Sequence, residues 1–133
     1  MVDLHPQLQA DSVPVIMLEL CEVRLQTDAN FPWLVLVPQR GGAREIHLLS
    51  EDDQQTLMRE ISFVSSRFEA LMGAEKMNVA TLGNMVPQLH IHIIARFKGD
   101  LAWPGPIWGI VPRKAYERQA LKQLMEKLKA VLA

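Results

Sequence analysis

The stretch from Leu89 to Phe97 constrains the fold of this chain more than any other. Apolar and polar residues alternate along it and β-branched residues are frequent, which is typical of a strand whose side chains alternate between the two faces of a sheet. One face would carry Leu89, Ile91, Ile93 and Ala95, and the other Gln88, His90, His92 and Ile94. A helix packed on the apolar face would leave two imidazoles on the floor of a cleft.

The other elements follow from local patterns. Strands are expected at 13–18, 21–25, 33–37 and 76–82, and Gly83-Asn84 predicts a hairpin into the histidine strand. Ser50 is placed to cap a long helix that ends near Gly73, and residues 113–132 form a second amphipathic pattern. We therefore predict an α+β fold over 1–133 as a single domain: an antiparallel five-stranded sheet with one long helix on one face and a C-terminal helix.

Composition excludes several function classes. Lys and Arg number 14 against 15 Asp and Glu, so there is no basic excess for binding a nucleic acid polymer. The single cysteine, Cys21, rules out an internal disulfide and is expected in the core. No apolar run is long enough to span a membrane, and the N-terminus lacks the pattern of a signal peptide, so we expect a cytoplasmic protein.

The run from Gln88 to Ile94, Gln-Leu-His-Ile-His-Ile-Ile, resembles the motif of the histidine triad family of nucleotide hydrolases and transferases. That motif is His-φ-His-φ-His-φ-φ with φ apolar, and Gln88 stands at its first position. The resemblance implies that His90 is the nucleophile and His92 the last histidine. It further implies attack on the α-phosphate of a nucleotide, a purine nucleoside phosphate as ligand, a covalent nucleotidyl-histidine and no cofactor. Gln88 would then position the phosphate.

The same resemblance extends to residues outside the motif. It makes Asp28 the candidate acceptor for a ribose hydroxyl and Asn84 a candidate phosphate contact. Both also have a local explanation, since Asp28 suits a turn and Asn84 tolerates positive φ. The loop with Trp103 and Trp108 resembles a Trp-Pro segment that some members carry near the active site or the partner subunit, and it could equally pack over a sheet edge.

The chemistry of imidazole fits this assignment. Neutral imidazole, with a pKa near ~6.5, keeps a lone pair at neutral pH for attack on phosphorus. Only one nitrogen of His90 can attack, so the other must donate its proton, and the backbone carbonyl of Gln88 is a candidate acceptor. His92, on the same face, is expected to help place the phosphate and to protonate the departing oxygen.

Three alternatives stay open at this point. The chain could bind nucleotides without turnover, or His90 and His92 could be polar residues on an exposed face. They could also ligate a metal with a third ligand, for which the candidates are His47, Cys21, Glu45 and Asp28. His5 and His47 have no partner in sequence and are expected at the surface. The resemblance, the second amphipathic helix and the Trp-rich loop predict a homodimer.

Overall fold

The sheet is antiparallel throughout and its five strands lie in the order β1-β2-β3-β5-β4. The computed structural model describes residues 1–133. The strands are β1 (Ser12–Met17), β2 (Cys21–Gln26), β3 (Trp33–Pro38), β4 (Lys76–Ala80) and β5 (Ile91–Arg96). The helices are α1 (Pro6–Asp11), α2 (Glu51–Met72) and α3 (Arg118–Leu132), with a 3-10 turn at Ile46–Leu48. This architecture confirms the predicted α+β fold. None of these helices combines the length and the apolar character needed to cross a membrane.

Helix α2 begins and ends where the sequence predicts. Ser50 is its N-cap, and the Ser50 hydroxyl accepts a hydrogen bond from the backbone N–H of Asp53 at 3.1 Å. Gly73 ends the helix in the left-handed conformation, at φ 64°, which glycine adopts without steric cost. The stripe between these ends is buried against the sheet and includes Leu57, Ile61, Val64 and Phe68.

A buried carboxylate ties α2 to the start of β2. Glu60 accepts hydrogen bonds of 2.8 Å from the backbone N–H groups of Leu20 and Cys21. Cys21 itself is fully buried, and burial, reinforced by the negative charge of Glu60, raises the pKa of its thiol far above the usual range. Cys21 is therefore a core side chain, as expected, and an unreactive one.

The two faces of β5 lie in different cores, as the alternation predicts. Leu89, Ile91, Ile93 and Ala95 join the main core beneath α2 and α3, which also holds Phe68 and Leu128. Ile94, on the opposite face, packs in a smaller core with Trp33, Val35, Val37, Leu8, Phe31 and Ile107. The histidines lie on the side of this smaller core, which leaves them next to α1 and the Trp-rich loop.

Three local features differ from the prediction. Residues 81–90 form a long connection instead of a tight turn, with Gly83 at φ 89°, since Pro87 lacks an N–H and the N–H of Leu89 bonds to Ala43 instead of β4. Helix α3 starts at Arg118, not near residue 113, because the preceding segment is extended and Lys114 accepts from the N–H of Ala29. Helix α1 was not predicted.

An internal ion pair fixes the loop that follows β5. The Arg96 side chain is 2% exposed and donates to both carboxylate oxygens of Asp100 at 2.8 and 3.0 Å. It also donates to the Asn78 side chain and to the carbonyl of Gly105. The Arg96 guanidinium, helped by three backbone N–H donors, holds the pKa of Asp100 well below its usual range. The loop that carries Trp108 is therefore anchored to the strand that carries His92.

Candidate active site

Both histidines of the motif line a recess of about 450 Å³, here called the histidine recess. Its lining residues come from the N-terminal segment (residues 1–5), α1, β2, β3, the 81–90 connection, β5 and the Trp-rich loop: His5, Gln7, Leu8, Asp11, Gln26, Trp33, Met85, Val86, His90, His92 and Trp108. A larger recess of about 680 Å³ is lined by residues 1–6, 40–44, 87 and 88, and shares only His5 with it. The larger recess contains neither motif histidine, so the chemistry points to the smaller one.

His90 is held in the tautomer that a nucleophile needs. Its Nδ1 lies 2.6 Å from the backbone carbonyl oxygen of Gln88. A carbonyl oxygen only accepts hydrogen bonds, so Nδ1 carries the proton and the lone pair remains on Nε2. The Thr81 hydroxyl donates to the His90 carbonyl at 2.8 Å and fixes the backbone at this point. The carbonyl named from the sequence is the one that orients the ring.

His92 is held in the opposite tautomer. The indole Nε1–H of Trp33 donates to Nδ1 of His92 at 2.9 Å, and because indole nitrogen only donates, Nδ1 is unprotonated. The proton of the neutral ring is therefore on Nε2. Burial, and next to it the neighbouring His90, lowers the pKa of His92 from 6.5 to about 4. His92 is neutral at physiological pH, so it is suited to donating a hydrogen bond and poorly suited to delivering a proton.

Aromatic rings surround the two imidazoles. The His90 and His92 ring centroids are 4.9 Å apart with an interplanar angle of 78°. Trp108 meets His92 edge-on at 5.3 Å and Trp33 edge-on at 6.2 Å. Trp103 instead lies on the Arg96 guanidinium, 5.8 Å from it. The Trp-rich loop thus contributes one tryptophan to the recess and uses the other for its own anchoring.

Gln88 lies beside the recess and contacts the N-terminal segment. Its Oε1 accepts from the backbone N–H of His5 at 2.8 Å, and its Nε2 donates to the carbonyl of Asp3 at 3.2 Å. Both ends of the amide are engaged, which departs from the expected phosphate contact. His5 was expected at the surface, yet it lines the recess. Nothing in the spacing of the sequence points to this contact across 83 residues.

Asp28 and Asn84 do not line the histidine recess. Asp28 is buried and its Oδ1 accepts from the backbone N–H of Asn30 at 3.0 Å and of Lys114 at 3.3 Å, so it forms the turn that the sequence offered as the alternative. Asn84 is exposed on the 81–90 connection and its φ is not positive, because Gly83 takes the left-handed position instead.

Gln26 is a lining residue that sequence reasoning missed. It is the last residue of β2, and its Oε1 is buried without a hydrogen-bond partner in the protein. The other polar lining residue nearby, Asp11, already accepts from Gln7 and Arg113 with its two oxygens. Gln26 Oε1 is therefore an unpaired acceptor, whereas each oxygen of Asp11 already has a donor. The available signal was its place two residues before Asp28, at the end of the strand.

The structure contains no group of three or more His, Cys, Asp or Glu side chains placed to hold a metal ion. Cys21, one of the third ligands considered from the sequence, is buried in the main core, and Asp28 is committed to its turn. His47 and Glu45 are exposed near the 3-10 turn. None of the four lines the histidine recess.

The fold and the site together define a five-stranded α+β domain with a pair of strand histidines on the floor of a recess. The model of the HIT domain matches residues 7–99, and the chain belongs to the histidine triad family. A search of the curated proteins found no match.

Solved structures agree. A histidine triad protein from Marinobacter aquaeolei is 45% identical, with 99% of this chain and 96% of that chain covered and a TM-score of 0.96. One from Bradyrhizobium japonicum is 43% identical, with 98% of both chains covered and a TM-score of 0.97. A third, from Sinorhizobium meliloti, is 38% identical over 98% of this chain and 96% of that chain, with a TM-score of 0.95.

Proposed function

We propose that this protein is a nucleotide phosphoramidate or dinucleotide hydrolase, or a nucleotidyl transferase, that acts through a covalent nucleotidyl-histidine on His90. One observation carries the proposal: the two buried imidazoles are fixed in opposite tautomers. His90 has a lone pair on Nε2, and His92 has a proton on Nε2. This pairing supports a nucleophile beside a neutral hydrogen-bond donor, a combination suited to attack on a phosphate.

In the first step Nε2 of His90 forms a bond to the α-phosphorus, and the bond from phosphorus to the leaving nitrogen or oxygen breaks. The leaving group departs with the bonding electron pair and is protonated by solvent. The proton stays on Nδ1 of the imidazole and remains hydrogen-bonded to the Gln88 carbonyl oxygen. That hydrogen bond stabilises the positive charge that develops on the ring. Nε2–H of His92 donates to a phosphate oxygen throughout.

In the second step water attacks the phosphorus of the nucleotidyl-histidine. The phosphorus–nitrogen bond breaks, its electron pair returns to Nε2 of His90, and the water proton passes to solvent. An acceptor other than water would make the reaction a transfer instead of a hydrolysis. No resident metal or cofactor enters either step.

The apolar lining of the recess supports a purine nucleoside phosphate as the ligand. Leu8, Met85 and Val86 give it an apolar wall on the side of α1 and the 81–90 connection, suited to the face of a base. Gln26 has a buried side-chain oxygen without a partner in the protein, so we assign it the contact with a ribose hydroxyl in place of Asp28.

The test is hydrolysis of adenosine 5′-phosphoramidate followed by phosphorus NMR. We expect the native protein to release AMP and His90→Gln to lose turnover by several orders of magnitude, because the amide nitrogen of glutamine has no lone pair available for attack on phosphorus. His47→Gln, a change at an exposed histidine away from the recess, is the matched control and should keep native turnover. Activity should survive a chelator, and inactivation together with a stoichiometric bound metal would favour a His-x-His metal site.

The competing function is nucleotide binding without turnover. It predicts that AMP and adenosine 5′-phosphoramidate bind with comparable affinity while the phosphoramidate stays intact through many hours. Following binding and hydrolysis of the phosphoramidate in one sample therefore distinguishes turnover at His90 from binding without turnover.

A further inference from the structure

We propose that His5 supplies a second hydrogen-bond donor to the substrate phosphate, beside His92, and that Gln88 is the positioning residue that holds it there. The inference rests on the proposed function, because it concerns the same recess. It assigns to the N-terminal segment, residues 1–5, a part in the site that the histidine motif itself does not contain.

The side chain of Gln88 holds the N-terminal segment. The Gln88 amide bonds at both ends to backbone groups of the segment, to the N–H of His5 at 2.8 Å and to the carbonyl of Asp3 at 3.2 Å. Two hydrogen bonds from one planar amide fix both the position and the direction of the chain that passes it. The segment lines the larger recess along with residues 40–44, and His5 at its end also lines the histidine recess.

The His5 ring is fixed in one tautomer. Its Nδ1 accepts from the backbone N–H of Gln7 at 3.0 Å, so that nitrogen is unprotonated and the proton of the neutral ring is on Nε2. His5 is half-buried and lines the same recess as His90 and His92. The recess therefore has three imidazoles: one with a free Nε2 lone pair and two with an Nε2 proton.

The contact between Gln88 and the N-terminal segment involves the one position that differs from the histidine motif. Gln88 stands where the motif has its first histidine, and its side chain is turned to the N-terminal segment. The structure thus retains three imidazoles at the recess although the sequence motif retains two histidines. The third comes from a residue 83 positions away, and the substituted residue is the one that bonds to its backbone.

The experiment compares two substitutions of His5 by the affinity for AMP, measured by calorimetry. Asparagine can accept the hydrogen bond from Gln7 as Nδ1 does, yet its shorter side chain removes the donor from the recess, whereas alanine removes both functions. We expect His5→Asn to keep the native melting temperature and to weaken AMP binding roughly 10-fold or more, the effect of losing one hydrogen bond to a charged group. His47→Asn is the control and should bind AMP as the native protein does.

A double-mutant cycle tests the role of Gln88. If Gln88 acts by positioning His5, Gln88→Ala should weaken AMP binding in the native background and have little further effect in His5→Asn. A purely structural role would give losses that add in the two backgrounds. Native AMP affinity in His5→Asn would overturn the assignment of His5, and additive losses would overturn the assignment of Gln88.

These outcomes are separate from failure of the proposed function. If the native protein neither binds AMP nor hydrolyses adenosine 5′-phosphoramidate, the proposed function falls and the inference falls with it. If the native protein does both and His5→Asn is unchanged in both, the roles given to His5 and Gln88 are wrong while the proposed function stands.

Discussion

The indole N–H of Trp33 donates a hydrogen bond of 2.9 Å to Nδ1 of His92 from the neighbouring strand. The two rings lie 5.6 Å apart and Trp108 closes against both of them. Because the indole can only donate, this one contact decides which nitrogen of His92 carries the proton. A residue outside the histidine motif thereby sets the chemistry that a motif residue can perform.

Replacing Trp33 by phenylalanine tests that control. The change keeps an aromatic ring but removes the N–H donor together with part of the indole, so His92 should populate both tautomers. We expect kcat/KM for the phosphoramidate to fall roughly 5- to 150-fold, which corresponds to a loss of about 1 to 3 kcal/mol of transition-state stabilisation. Nitrogen NMR should show a mixture of the two tautomers at His92. Trp103→Phe, outside the recess, is the control. Native activity in Trp33→Phe with a mixed tautomer would show that the tautomer of His92 is unimportant.

The low pKa of His92 predicts a specific pH dependence of stability. Its pKa of about 4 in the folded protein lies below the ordinary value of 6.5, so the unfolded chain binds more protons between these values. Stability from this group is complete above 6.5 and is lost as the pH falls towards 4. Between neutral pH and about pH 5, protonation of this group should lower the free energy of unfolding by about 2 kcal/mol.

Urea denaturation across this range measures the effect as a difference between variants. His92→Gln should flatten the pH dependence by the predicted amount, while His47→Gln should keep the native slope. Identical slopes in His92→Gln and the native protein would mean that His92 is not the group responsible.

The parts of the fold that follow from the sequence are those specified by neighbouring residues. The ends of α2 follow from Ser50 and Gly73, and the faces of β5 follow from alternation, because both depend on local geometry. The predicted connection between β4 and β5 is wrong, because a backbone group expected to pair within the hairpin bonds to a distant segment instead. Leu89 bonds to Ala43 instead of β4, which opens the expected tight turn at Gly83 into a long connection.

The pair formed by Arg96 and Asp100 should be important for stability. Asp100→Ala leaves the Arg96 guanidinium buried without its carboxylate, and we expect the free energy of unfolding to fall by about 3 to 5 kcal/mol. Tryptophan fluorescence should also change, since the loop that carries Trp103 and Trp108 loses its anchor. Lys98→Ala, in an exposed pair with Glu75 at 3.9 Å, is the control and should leave stability unchanged. Equal stability of the two variants would contradict the anchoring role.

We still expect a homodimer, although for a different structural reason than the sequence suggested. The apolar stripe of α3 packs on its own chain, with Leu128 and Leu132 buried in the main core. Strand β4 remains at the edge of the sheet, and its Val79 is 49% exposed. Light scattering should give about twice the mass of the chain for the native protein and for Met58→Lys, a control on the exposed face of α2. Val79→Lys should shift the mass to that of the monomer, and a native monomer would refute the prediction.

The candidate site was predictable in its centre and not at its edges. His90 and His92 could be named because alternation fixes their face and the motif fixes their spacing. His5, Gln26 and Trp33 enter through contacts between distant segments, which no local pattern encodes. The resemblance placed Asp28 in the site, while in the structure its Oδ1 accepts from the backbone N–H groups of Asn30 and Lys114 and the residue does not line the recess.

The most direct test of the account is the mass of the intact protein during reaction with adenosine 5′-phosphoramidate. We predict a transient increase equal to one adenylyl group, which peptide mapping assigns to His90 and which is absent in His90→Ala. His92→Ala should still form the adduct, more slowly, because His92 positions the phosphate without attacking it. AMP release with no adduct at any time under rapid quenching, or an unchanged adduct in His90→Ala, would contradict the central claim that Nε2 of His90 is the nucleophile.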